Sequence, residues 1–272
     1  MGSISSSQLM IILPGLFSIA FVFSMFGRGG GEFILPLLIS VLSLPYFDIA
    51  TISLFLIFSQ GTIMLLVYGW KHKLVDWPLA ISLAIIIGTF AFMGGYFSFH
   101  VKPIYLKGTF AVVLLISAYK IWQGKKVPAK KGRLGTWHRK MPGEKGEEYD
   151  MNFLYIILPV AIIASVAGML GISGCGLIIP LCIILGGVPM RIAIGSNTML
   201  VLTSSGTSFL GHIARGHYFP WTYIMMFVGA TIVGALIGSR IHVKIRDEYV
   251  KKGFITILIV AAVWMLVKIY LK

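Results

Sequence analysis

Phe26-Gly27-Arg28-Gly29-Gly30-Gly31-Glu32, running on to Pro36, returns 144 residues later as Gly171-Ile172-Ser173-Gly174-Cys175-Gly176, running on to Pro180. In each copy a glycine run ends one apolar segment and opens a short one, 33–44 in the first case and 177–188 in the second. At about 1.5 Å per residue, a segment of that length covers roughly 18 Å, less than the roughly 30 Å of bilayer hydrocarbon. Neither short segment spans alone. A helix that begins after a glycine loop presents unpaired first-turn amides and the positive end of its dipole, an arrangement suited to an anion.

Outward from these two breaks the chain is apolar nearly throughout. Of 272 residues 57% are hydrophobic and 12% charged, with a mean hydropathy of +0.91. A soluble domain carries roughly a quarter charged residues, so the composition excludes a soluble enzyme and a nucleic-acid-binding module. The net charge of +14 reflects a shortage of acids, nine in all, with basic residues placed between apolar runs. Ten apolar segments result, at 9–26, 33–44, 49–68, 77–97, 108–122, 153–170, 177–188, 192–212, 221–241 and 253–271. The expected fold is an all-α polytopic membrane protein that embeds in a lipid bilayer.

The halves match at the same 144-residue offset at residue types that chance rarely aligns: Pro45 with Pro189, Trp77 with Trp221, Gly94 with Gly238 and Tyr105 with Tyr249. The expected organisation is a first transmembrane repeat over 1–122, a polar linker over 123–152 and a second repeat over 153–272. If every segment carries the chain across, 18 of the 23 Lys and Arg fall on the linker side. Basic residues collect on the cytoplasmic face. The linker is therefore expected in the cytoplasm, both termini outside, and the repeats inverted, with about five segments each, in a multi-pass protein of the cell membrane. Re-entry of the short segments remains the alternative.

Paired interrupted segments in corresponding positions of inverted halves point to a transporter's central site. The candidate substrate-binding residues are Arg28, Gly29, Gly30 and Gly31 with Ser173, Gly174, Cys175 and Gly176. A second ring follows each short segment: Thr51 and Ser53 in one half, Ser196 and Asn197 in the other. These either donate to the ligand or cap the next helix. Arg28 and Glu32 are opposite charges four residues apart at membrane depth, where a charge costs at least about 2.5 kcal/mol and so has a partner or a task. Arg28 is the expected counter-charge for substrate and Glu32 the proton- or ion-coupling carboxylate. Gln60 and Ser204 read as interhelical hydrogen-bonding residues, and His212 as an interfacial anchor. Nothing in the sequence has metal-ligand spacing, and no cofactor is expected. Glycine pairs such as Gly94-Gly95 and Gly234-xxx-Gly238 suit packing within the chain or in a homodimer.

These motifs resemble the sulfite exporter TauE/SafE family, whose pattern is close to G-x-G-G-G-x-x-x-x-P, then Gly-x-Pro and Ala-x-Gly-Thr-Ser, twice over. Here the first copy is Gly27 to Gly31 with Pro36, Pro45 and Ala50-Thr51-Ile52-Ser53. The second is Gly171 to Cys175 with Pro180, Gly187-Val188-Pro189 and Ala193-Ile194-Gly195-Ser196-Asn197. The resemblance implies a permease for a small sulfur-containing anion such as sulfite or an organosulfonate, usually in the direction of export. Ser173 and Cys175 stand where the family has glycine, and Asn197 where it has serine. A passive anion channel would use the same residues. An intramembrane enzyme fits less well, because the acid cluster Glu144, Glu147, Glu148 and Asp150 lies in the linker.

Overall fold

The structure is a computed structural model that describes residues 5–42, 44–98, 112, 115, 116, 118, 119, 121–123, 136–140, 148–215, 221–242 and 247–270. The first half holds α1 (Ser6–Ser24), α2 (Gly31–Val41), α3 (Tyr46–Leu65) with a π-helical turn (Leu66–Lys71), and α4 (Trp77–Tyr96). The second holds α5 (Phe153–Leu170), α6 (Cys175–Ile184), α7 (Met190–Ala214), α8 (Trp221–His242) and α9 (Asp247–Tyr270). Most of the expected segment 108–122 lies outside the described residues.

Local sequence accounts for the ends. Ser5 caps α1 with a reciprocal box to Gln8, and Asp76 caps α4 ahead of Pro78 in its first turn, satisfying amides the helix itself leaves unpaired. Pro45 and Pro189 are the N-cap residues of α3 and α7. Thr51, Ser53, Ser196 and Asn197 therefore do not cap; all four lie inside the helices. α2 and α6 have 11 and 10 residues, so the expectation of two short helices holds. Among the described residues five helical stretches are long and apolar enough to cross a membrane: Ser6–Ser24, Tyr46–Lys71, Trp77–Tyr96, Phe153–Leu170 and Ile224–Ile241. Large apolar side chains such as Ile85, Leu158 and Ile162 face outward, as lipid-facing residues do.

The halves are packed crosswise. α4 lies on α5 and α7, α8 lies on α1 and α3, and α3 crosses α7. Small residues set the separation, as in other membrane helix pairs. A Cβ on Gly94 would collide with the Ser165 backbone, and one on Gly238 with the Phe21 backbone. Those two contacts are equivalent at the 144-residue offset, with the halves exchanged. So are the contacts of Gly27 with Ile194 and of Gly171 with Ala50. Reciprocal contacts of this kind are what a two-fold relation between similar surfaces produces.

The linker contains more structure than its glycines and prolines suggested. Thr136–Lys140 (β1) pairs antiparallel with Glu148–Asn152 (β2), His138 opposite Asp150. The hairpin's inner face carries Trp137, Arg139, Tyr149 and Met151: Tyr149 and Met151 are buried, and Trp137 meets Phe153 edge-on at 6.1 Å.

Candidate functional site

Each glycine loop is built by the same backbone device. Gly30 (φ 65°) and Gly174 (φ 64°) occupy the left-handed region as N-caps of α2 and α6. A side chain at such a φ costs about 1–2 kcal/mol, so glycine is the residue that turns the chain into the short helix there. Neither cap has a side-chain hydrogen bond to the opening turn.

The two loops meet. A Cβ on Gly29 would lie 3.3 Å from Ser173 Oγ and 3.3 Å from Val201, and would clash with Ile57. One on Gly31 would lie 3.2 Å from Ile172 Cα. Gly29 and Ser173 are equivalent at the repeat offset, as are Ile57 and Val201, so the loops touch where the halves exchange. The residues Arg28 to Glu32 and Ile172 to Gly176 form one buried locus.

That locus is charged on one side only. Arg28 is 1% exposed and Glu32 5%, and Arg28 Nη2 donates to Glu32 Oε1 at 2.6 Å. Their equivalents are Ile172 and Gly176. The guanidinium takes the space that a side chain at Gly176 would fill: a Cβ there would land on Nη2, Cζ and Nε. Phe23 and Phe254 flank it, with Cζ 5.6 Å and 5.9 Å from the ring centroids, a cation–π arrangement. Arg28 Nε and Nη1 are buried with no hydrogen-bond partner among the described residues. The cation thus rests against the opening turn of α6, whose dipole presents positive charge to it. Two positive features in one buried place favour a negative group beside them, and in this structure Glu32 is that group.

Polar side chains from α3 and α7 hold the loops in shape. Asn197 Nδ2 donates to Gly27 O at 2.7 Å, and Gln60 Nε2 donates to Arg28 O at 3.2 Å and Ser24 Oγ at 2.9 Å. Ser204, the repeat equivalent of Gln60, donates to Ser173 O at 2.7 Å. Gln60 Oε1 and Asn197 Oδ1 are buried with no partner among the described residues. Cys175 lies at the opening of α6 with its thiol donating to Ser173 O at 3.2 Å. It is a free, buried cysteine, as is Cys182.

The structure therefore gathers Arg28, Gly29, Gly31, Glu32, Ser173, Cys175, Gly176 and Asn197, with Gly30 and Gly174 as the turning points. Thr51 donates instead to Phe47 O in its own helix, at 2.8 Å. Ser53 is buried, its Oγ without a partner among the described residues. Ser196 Oγ accepts from the Asp76 N–H at 2.9 Å. His212 is fully buried, with Nε2 3.1 Å from Gly168 O and the ring 6.4 Å from that of Phe47. The helix continues past it to Ala214 and carries it into the α5 contact. Phe23, Tyr68 and Phe254 also support the site and were not signalled by the sequence. Tyr68, in the π turn, donates to Ser24 O at 2.8 Å; one more aromatic in an apolar run carries no mark of such a role.

Comparison with known proteins agrees with this architecture. The chain is 26% identical over 257 residues to the "Probable membrane transporter protein YunE" of Bacillus subtilis (strain 168), covering 89% of this chain and 91% of that one. It is 24% identical over 279 residues to the "Probable membrane transporter protein MJ0441" of Methanocaldococcus jannaschii, covering 95% and 97%. No solved structure gives a significant match. The family model described as "Sulfite exporter TauE/SafE" matches residues 11–265. With nearly the whole length matched and both glycine breaks inside the match, the chain belongs to the sulfite exporter TauE/SafE family.

Proposed function

We propose that this protein is a secondary transporter, working as an exporter, of a small sulfur-containing oxyanion such as sulfite or an organosulfonate. The observation that carries this function is the placement of Arg28: a buried guanidinium with unpaired Nε and Nη1, held against the opening turn of α6. An oxyanion between them gains charge-assisted hydrogen bonds from Arg28 and the amides after Gly174. Membership of the TauE/SafE family and two relatives named as membrane transporters support transport as the activity.

Nη2 is engaged by Glu32, so an anion that takes the guanidinium as a two-pronged fork competes with that carboxylate. Glu32, displaced from Arg28 by the anion, is the carboxylate that couples a proton or another ion to its passage. The crosswise bundles α4–α5 and α1–α8 rock about the contact between the loops to alternate access. The lack of room for even a Cβ at Gly29 beside Ile57, Ser173 and Val201 supports a transporter over an open channel. The basic linker lies in the cytoplasm and both termini outside, with the halves inverted.

The test is flux in proteoliposomes across sulfite, thiosulfate, sulfoacetate, sulfate and phosphate, with Arg28→Ala and Gly174→Leu alongside. Saturable flux of one sulfur anion, lost in both variants while they still insert, supports the function. Unchanged flux in both removes the site, and unitary currents in planar bilayers replace the transporter with a channel.

A further inference from the structure

Asp76 is a buried carboxylate where three parts of the molecule meet. Its side chain is fully buried and receives a two-pronged contact from Arg139 of β1, Nη2 to Oδ1 at 2.8 Å and Nε to Oδ2 at 3.2 Å. Tyr149 of β2 donates to Oδ2 at 2.7 Å. Oδ1 also accepts from the Leu79 N–H at the start of α4. On the far side the Asp76 N–H donates to Ser196 Oγ. Ser196 precedes Asn197, which holds Gly27 O, and a Cβ on Gly195 would collide with Leu74 O. Polar contacts thus link the linker hairpin to Asp76 and Asp76 to α7, and the next residue of α7 holds the first glycine loop.

We propose that the hairpin formed by β1 and β2 is a strap that closes the linker-facing approach to the glycine loops, with Asp76 as its catch. This rests on the transport function proposed above. A two-stranded hairpin is marginal by itself, so its ordered form depends on what it docks against, and docking here is concentrated on one carboxylate. Arg139 stacks over Trp137 at 5.2 Å, which presents the guanidinium to Asp76. Burial, and then the hydrogen bond to Asp76, push the Tyr149 hydroxyl well above its ordinary pKa, so it remains a donor. The segment joining α3 to α4 departs from regular helix. It contains the π turn Leu66–Lys71, and Lys73 has a left-handed φ of 51°, features that concentrate at hinges and switch regions. The repeat equivalent of Asp76 is Pro220, which has no carboxylate, so the catch belongs to one approach alone.

Cys175, buried at the opening of α6, reports on closure. In a Cys182→Ala background, Cys175 is labelled with a membrane-impermeant cationic methanethiosulfonate applied to either side of sealed vesicles. The linker side is identified by labelling of Lys130→Cys. Arg139→Gln and Tyr149→Phe are expected to raise Cys175 labelling at least tenfold from the linker side only, with faster tryptic cleavage of the linker. His138→Gln, on the same hairpin but paired with Asp150, leaves both unchanged. The strap is overturned if labelling stays within twofold of the parent in both variants, or if it rises equally from both sides. It is also overturned if the hairpin keeps its protease protection in Arg139→Gln, since Asp76 is then no catch. Protection of Cys175 by sulfoacetate, a sulfonate that neither consumes the reagent nor cleaves the mixed disulfide, is a separate readout: its absence beside an intact strap effect counts against the transported anion and leaves the strap standing.

Discussion

Removing Arg28 tests whether its charge is there for the fold or for the ligand. Arg28→Met leaves Glu32, 5% exposed, without its 2.6 Å partner. Breaking a buried ion pair by deleting one member costs about 3–5 kcal/mol, because the remaining charge is uncompensated. Loss of the contacts with Phe23 and Phe254 adds roughly 1 kcal/mol. At about 2–4 °C per kcal/mol for chains of this general size, the single variant melts on the order of 10 °C lower. Arg28→Met with Glu32→Gln removes both charges, and such exchanges are often neutral, so the double variant recovers most of that loss. Anion binding does not recover, since the unpaired Nε and Nη1 donors are gone in both. The assays are thermal unfolding of the purified protein in detergent and uptake of radiolabelled sulfite into proteoliposomes. A double variant that is stable and transports like the parent refutes the ligand role. A single variant as stable as the parent refutes the buried-pair energetics.

Gly176→Ala puts a methyl where the guanidinium lies and displaces Arg28 without removing it. At about 1.5–3 kcal/mol for a charged hydrogen bond, sulfite affinity is expected to fall roughly 10- to 100-fold, read by titration of the purified protein, with a lower melting temperature because the same displacement strains the Arg28–Glu32 pair. Asn197→Ala strips the 2.7 Å donor from Gly27 O and lowers stability by about 1–3 kcal/mol, visible as a lower melting temperature; no shift would mean the loop is held by other contacts. Gly94→Leu and Gly238→Leu each drive a side chain into a facing helix backbone. Both should therefore lose monodisperse protein on gel filtration to a similar degree, as two-fold-related contacts would.

Membership of the membrane class and the two helix breaks were legible in the sequence because each is local. Hydropathy is summed over neighbouring residues, and glycine and proline act on their own backbone. The Arg28–Glu32 pair was legible as two opposite charges close together in an apolar stretch, but it forms across the left-handed turn at Gly30 rather than along a helix face, because α2 opens only at Gly31. The linker hairpin was not legible: Thr136-Trp137-His138-Arg139-Lys140 alternates too weakly, in a stretch dominated by glycine and charge. The burial of His212 was not legible either, because it depends on α5, which lies more than 40 residues away in the chain.

By itself, the sequence determined that this chain lies in a membrane, breaks twice at glycine and carries one buried pair of charges. The tertiary structure decided that the breaks meet, that the guanidinium of one half lies in the space beside Gly176 of the other, and that Asp76 ties the linker to α4 and α7. Backbone preference and hydropathy are properties of a residue and its neighbours. Which surfaces touch depends on side-chain volumes matched across the two halves, and those are summed only when the chain packs.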